Sequence, residues 1–198
     1  MKRYLQLLLA VLAIASIAGV GAGAAGVADK VDEAFVGVMP MHHEMAIEMA
    51  KMAREQGEHG KIRSLAGDII KAQTAEIRQF GKIADGLGMM AAGMDGHMAM
   101  MDDLSVLGLT MKQSGMDMDM NMLDGAKPFD RMFIDMMVPH HQGAIRMARV
   151  ELKRGKDPLL LAIARAIVKA QAREIREMNQ WRVAWYGAPS PAGGVPRS

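Results

Sequence analysis

The sequence of 198 residues contains no cysteine. That absence excludes a disulfide framework, a thiolate metal site and lipidation of an N-terminal cysteine. Aromatic residues are scarce, at 4%. The apolar content therefore rests on Ala, Met, Leu and Ile, which favour helix apart from the middling Ile. An excess of one charge is also missing. The formal net charge is +2, and without Lys2 and Arg3 the remaining 22 basic residues face 22 acidic ones. Nothing in that balance points to nucleic acid or to an anionic membrane surface as partner. The length fits one domain, with enough chain to bury a core unaided.

Lys2 and Arg3 precede an uncharged stretch from Tyr4 to Ala28, Leu- and Ala-rich over Leu5–Val20 and Gly/Ala-rich thereafter. This order reads as a secretory signal over residues 1–28, with small-residue cleavage sites at Ala22-Gly23-Ala24 and Gly26-Val27-Ala28. An uncleaved N-terminal anchor is the alternative. The expected location is the periplasm or the exterior. Membrane contact is expected only through that segment.

The sequence repeats itself. Residues 35–80 align without gaps to residues 133–178, and 17 of the 46 pairs are identical. Each copy reads as a helical hairpin. Ala46, Met49, Ala50 and Ala53 form one apolar stripe, and Ile62, Leu65, Ala66, Ile69, Gln73, Ile77 and Phe80 form the next. Gly57 and Gly155 fall where a helix should end, and Asp157-Pro158 reads as an N-cap followed by a first helical position. A single amphipathic hairpin cannot cover its own apolar face, but two together make a four-helix bundle. The expected architecture is all-α within a single duplicated domain, residues 29–187. Hairpin 1 spans about 32–88, a connection 89–127 and hairpin 2 about 128–187. A Pro/Gly/Ser-rich tail, 188–198, is expected to be disordered.

Half of the 22 methionines, 11 of them, lie in residues 89–122. Interspersed Gly and Asp argue against one continuous helix there, although Asp102–Lys112 could form a short one. A flexible polar loop has no core for these methionines to fill. Three histidines have a methionine three residues earlier: Met39–His42, Met94–His97 and Met137–His140. That spacing places both side chains on one helix face. Met45 and Met49 extend the face of His42, and Met147 extends that of His140. His43 and His141 point about 100° away from their neighbours.

Thioether sulfur is a soft, neutral ligand that suits Cu(I), and imidazole suits copper and zinc alike. Thioether binds without losing a proton and cannot be lost to a disulfide. The candidate metal ligands are therefore Met39, His42, His43, Met45, Met49, Met94, His97, Met98, Met100, Met101, Met137, His140, His141 and Met147. Copper as Cu(I) is the expected ion, with Ag(I) the equivalent soft one. Core filling is the commoner role for Met49, Met147 and Met178. A His-His pair can also be purely structural. The repeated Gln73-x-x-Glu76 and Gln171-x-x-Glu174 are candidates to orient the imidazoles through hydrogen bonds. Pro40 and Pro139, near the histidine pairs, would kink a helix.

Phe129-Asp130-Arg131-Met132-Phe133 and Met136-Met137-Val138-Pro139-His140-His141-Gln142-Gly143-Ala144-Ile145 resemble the signature of domain-of-unknown-function family 305. Its better characterised members are CopM-like periplasmic copper-binding proteins. Arg154-Gly155-Lys156-Asp157-Pro158 and Ala170-Gln171-x-x-Glu174-Ile175 also fit. The resemblance runs from about Asp32 to Tyr186 and is looser around Met41 and Met45. It implies a ferritin-like four-helix bundle, export, and Cu(I)/Ag(I) binding at His42, His43, His140, His141, Met49 and Met147. The expected role is copper sequestration, tolerance or handover, with a copper exporter or another periplasmic copper protein as partner. The alternatives are a helical interaction module and a methionine-based oxidant scavenger. A di-iron oxidase, the enzymatic reading, needs Glu-x-x-His on two helices. None of the six histidines has Glu three residues before it, so a non-enzyme is expected.

Overall fold

A computed structural model describes residues 29–89 and 96–197. The expectations for segment 1–28, for Met94 and for the His97 side chain lie outside the described residues. In chain order the helices are α1 (Lys30–Gln56), α2 (Gly60–Gly86), α3 (Gly96–Leu107), α4 (Met111–Ser114), α5 (Phe129–Arg154) and α6 (Pro158–Tyr186). A 3-10 turn covers Met120–Met122. No strand occurs among the described residues.

The hairpins predicted from the repeat are α1–α2 and α5–α6, and α1 lies against α5 between them. Asp29 starts α1 through a capping box with Asp32. Asp157 caps α6 by accepting from the amides of Leu159 and Leu160, with Pro158 in the first turn. Both are side-chain solutions for the orphan amides of a helix N-terminus. α1 and α5 end at Gly57 and Gly155 as expected, but with φ of −57° and −69° rather than in the left-handed cap geometry. Pro40 and Pro139 lie inside α1 and α5, and both helices continue through them.

The hairpins are tied together reciprocally. Asp32 on α1 accepts from the amides of Lys156 and Asp157, at 2.9 and 3.2 Å, in the α5–α6 turn. Asp130 on α5 accepts from the amides of Glu58 and His59, both at 2.8 Å, in the α1–α2 turn. The two aspartates lie at the offset of the internal repeat, just before its aligned stretch. Each buried carboxylate thus satisfies amides that the other hairpin leaves unpaired.

The core divides into two clusters on either side of the histidines. One contains Met49, Phe133, Met136, Met137, Ile145, Ile175 and Met178. The other contains Phe35, Met39, Phe80, Met147, Leu160 and Ile167. Phe35 and Phe80 meet edge to face at 5.6 Å, joining α1 to α2.

The connection and the tail differ from expectation. The connection's helix is Gly96–Leu107, earlier than the predicted Asp102–Lys112. It stops at Gly108, whose φ of 71° takes the chain out of helix. Met100 and Met116 are buried, so methionines of the connection do fill core. Residues 188–197 are not a disordered tail. Gln142 donates to the carbonyls of Ala192 and Gly194, Asn179 to Gly193 and Arg149 to Pro196. Composition signalled disorder because such a segment makes few bonds of its own. Here side chains of α5 and α6 supply them.

Candidate metal centre

The histidine pairs sit mid-helix on α1 and α5, where the Ala-rich inner faces meet. His42, His43, His140 and His141 are all fully buried. The His42 and His140 rings lie face to face, tilted by 34°, with centroids 3.7 Å apart. His43 is 6.2 Å from His42, and His141 is 6.4 Å from His140. The duplication thus places four imidazoles side by side, with the pair common to both hairpins in the middle.

Hydrogen bonds fix several tautomers. His43 Nε2 donates to Glu76 Oε2 at 2.8 Å, and His141 Nε2 donates to Glu174 Oε2 at 2.7 Å. A carboxylate only accepts, so the proton sits on Nε2 and the lone pair on Nδ1. His42 Nε2 donates to the Ser114 carbonyl at 3.0 Å, which leaves its lone pair on Nδ1 too. His140 has no partner at either nitrogen. Nδ1 of His42, His43 and His141 also lacks a partner. Five unpaired nitrogens on buried rings are expensive, because an unsatisfied buried polar group costs about 1–3 kcal/mol. Burial holds the His42 and His140 imidazoles well below their ordinary pKa, and the neighbouring imidazoles push the same way. The centre is a set of buried rings in which Nδ1 of all four, and Nε2 of His140, lack a protein partner.

Methionines flank it on both sides. Met39 of α1 shares a cluster with Met147 of α5, and Met49 of α1 shares the other with Met137 of α5. Each cluster holds eight methionines when the partly buried ones are counted. Met45 is partly buried beside Met39, and Met100 joins the same cluster from α3. Met98 and Met101 are exposed, at 66% and 42%, and lie apart from the buried rings. The predicted ligand set therefore splits into a buried group and an outlying pair.

Of the residues expected to orient the imidazoles, Glu76 and Glu174 do so. Gln73 and Gln171 are buried, but their Oε1 atoms have no partner and neither amide bonds a histidine. The i+3 spacing placed Gln and Glu on one face; the two side chains are equally long, and only the Glu positions bring a polar atom within bonding distance of a ring.

Sequence reasoning missed Ser114, which acts through its backbone. Its signal was the capping box Thr110-x-x-Gln113 followed by Gly115, an ordered turn within a stretch read as flexible. A second group was also missed. Glu58, His59 and Asp130 bring three N/O donors within 4.8 Å of one another. Asp130 spends its oxygens on the amides of Glu58 and His59 and on His59 Nδ1 at 2.7 Å, and His59 stacks on Trp185 at 3.8 Å. Asp32 accepts amides in the same way at the other turn, so this cluster is capping structure.

A family model described as "Domain of unknown function (DUF305)" matches residues 32–182. The chain belongs to the DUF305 family. Among solved structures, CopM in its Cu(I)-bound form is similar at 30% identity and a TM-score of 0.64, covering 79% of this chain and 98% of CopM. A DUF305 protein from Streptomyces coelicolor, inferred to be secreted, matches at 26% identity and a TM-score of 0.70, covering 81% of this chain and 96% of that one. An uncharacterized protein of Acanthamoeba polyphaga mimivirus is 40% identical over 50 residues, 25% of this chain. The chain spans only 33% of that relative's length. CopM has also been solved in Ag-bound, Cu(II)-bound and apo forms. The DUF305 match covers both hairpins and the connection between them, so the site lies wholly within the family's domain.

Proposed function

We propose that this DUF305 protein binds Cu(I), or Ag(I) in its place, at the junction of α1 and α5. The observation that carries the reading is the group of four buried imidazoles whose Nδ1 atoms have no protein partner. His42 and His140 are the central ligands, with His43 and His141 beside them. Met39 and Met147 on one side, and Met49 and Met137 on the other, supply thioethers. Met45 and Met100 extend the first of these groups. Glu76 and Glu174 hold the outer rings and raise their basicity, as carboxylates do for histidine ligands. The similarity to CopM, solved with Cu(I) and with Ag, supports the choice of ion. Imidazole alone would serve zinc equally, and the thioethers favour the soft monovalent ion.

Exposed Met98 and Met101, three residues apart on α3, act as an outer capture pair for the same ion. The role is sequestration or handover outside the cytoplasm, without catalysis. The signal-like segment 1–28 supports export, and no helix among the described residues is long and apolar enough to cross a membrane. Anaerobic titration with Cu(I) against a chromophoric chelator, with Zn(II) and Fe(II) in parallel, tests the reading. Competitive Cu(I) uptake that is lost in His42→Ala/His140→Ala supports it. Uptake unchanged in that variant, or iron uptake with oxygen consumption, refutes it.

A further inference from the structure

The central imidazoles are covered by main chain. The Ser114 carbonyl takes the His42 Nε2 proton, and Ser114 is fully buried. Gly115, in left-handed backbone at φ 72°, lies on α5. A β-carbon there would come within 2.8 Å of the His140 Cα and 2.5 Å of the Pro139 carbonyl oxygen. A β-carbon at Gly143 would overlap the Ser114 carbonyl. Glycines on both sides of this contact let two backbones touch directly over the rings.

We propose that the turn Thr110–Met116 is a strap that closes the His42/His140 centre and lifts to let a soft metal ion in or out. The inference rests on the Cu(I)/Ag(I) reading above and assigns the control of access to that site. The strap packs Ser114, Gly115 and Met116 against the bundle, and its polar fastenings to other elements are few. Outside, half-buried Arg146 donates to the Gln113 carbonyl at 3.0 Å. Inside, His42 supplies the one ring bond. Within the turn, Thr110 and Gln113 cap each other, so the segment can move as a unit. Met111 and Met116 belong to the apolar cluster of Met39 and Met147, so the strap contributes two thioethers to that methionine-rich side of the bundle.

Loading favours closure. An ion on His42 Nδ1 draws electron density from the ring and makes Nε2–H a better donor to Ser114. A bound ion would thereby tighten the strap, which without it is held by the ordinary hydrogen bonds from His42 and Arg146.

The test uses the full chain without metal and the imidazole acylating reagent diethyl pyrocarbonate, read by peptide mapping. Arg146→Ala releases the outer fastening, and Gly143→Ala pushes the Ser114 carbonyl away. His42 and His140 should react at least about fivefold faster in Arg146→Ala than in wild type, through local opening, with an unchanged urea midpoint. His43, held under Glu76, should react at the wild-type rate. If Gly143→Ala fails to fold, Arg146→Ala carries the test alone. With Cu(I), Arg146→Ala should lose the ion to a chelator faster at nearly unchanged equilibrium affinity. Equal reactivity of His42 and His140 in both proteins overturns the strap, as does reaction of all four histidines at one common rate. Faster acylation in a protein that retains no Cu(I) leaves the strap standing and removes the copper reading.

Discussion

Replacing Glu151 by Gln should stabilise the protein at pH 8 and leave it almost unchanged near pH 4.5. Glu151 is fully buried on α5, and neither carboxyl oxygen has a hydrogen-bond partner. Burial raises its pKa from 4.5 to about 8, and the neighbouring Asp32 carboxyl pushes the same way, with Asp157 and Asp29 adding to it. The folded protein therefore holds a proton that the unfolded chain releases. Stability from this group is fully present below pH 4.5 and is lost as pH rises toward 8. The full shift would correspond to a ceiling of about 5 kcal/mol at about 1.4 kcal/mol per unit. Glu151 adjoins the α5–α6 turn, where Lys156 is exposed and water can relax around the charge, so we expect about 2 kcal/mol. Gln fills the same volume and cannot ionise. Urea unfolding of wild type and Glu151→Gln at pH 4.5, 6 and 8 measures the difference, and other titrating groups cancel between the two. A gain of about 2 kcal/mol at pH 8 corresponds to about 4–8 °C in Tm for a chain of this length. A variant destabilised equally at all three pH values would show that Glu151 is not a buried acid forced to keep its proton.

Glu76→Gln and Glu174→Gln should each weaken Cu(I) binding about tenfold by loosening the ring tautomer. A chelator competition giving wild-type affinity for both would refute their orienting role. With the His42 and His140 pKa values held below the ordinary one, Cu(I) affinity should stay level as pH falls through 6.5 and weaken only further into acid. Burial is the main cause, since it disfavours the protonated ring that would release the ion. The same depression means that apo-protein stability carried by these rings is present above pH 6.5 and is lost in acid, a slope that His140→Gln should reduce in pH-dependent unfolding. Asp130→Ala should cost about 2–3 kcal/mol in urea unfolding, since it strands two turn amides and the His59 ring. A cost below about 0.5 kcal/mol would show that water replaces the carboxylate.

The duplication made the fold legible. Identities at His42/His140, Gly57/Gly155 and Gln73/Gln171 fixed two equivalent hairpins, and an apolar face on each demanded that they pack on each other. The same identities located the site, because residues equivalent by repeat meet where the two hairpins meet. The carboxylate support was legible in part, from the repeated Gln-x-x-Glu that put both residue types opposite the histidine pairs. Glu reaches an imidazole across a helix pair where Gln73 and Gln171 do not.

What remained hidden depends on the connection between the repeats, which has no counterpart in the duplication. His42 and His140 are equivalent in sequence, but His42 has the Ser114 carbonyl and His140 has nothing. That difference comes from a single connection lying across a symmetric centre, which can serve one ring but not both. A backbone carbonyl carries no residue signature, so only the permissive partners betray it: Gly115 on the strap, and Gly143 where the first repeat has Met45. The departure of Gly143 from the repeat reads from sequence alone as a lost thioether. In three dimensions it is the gap that admits the strap. A duplicated bundle thereby gains an open ring and a covered ring from identical residues. On the proposed reading, a Cu(I) ion would meet two inequivalent ligands, because His140 has no protein partner and His42 is already turned by its bond to Ser114.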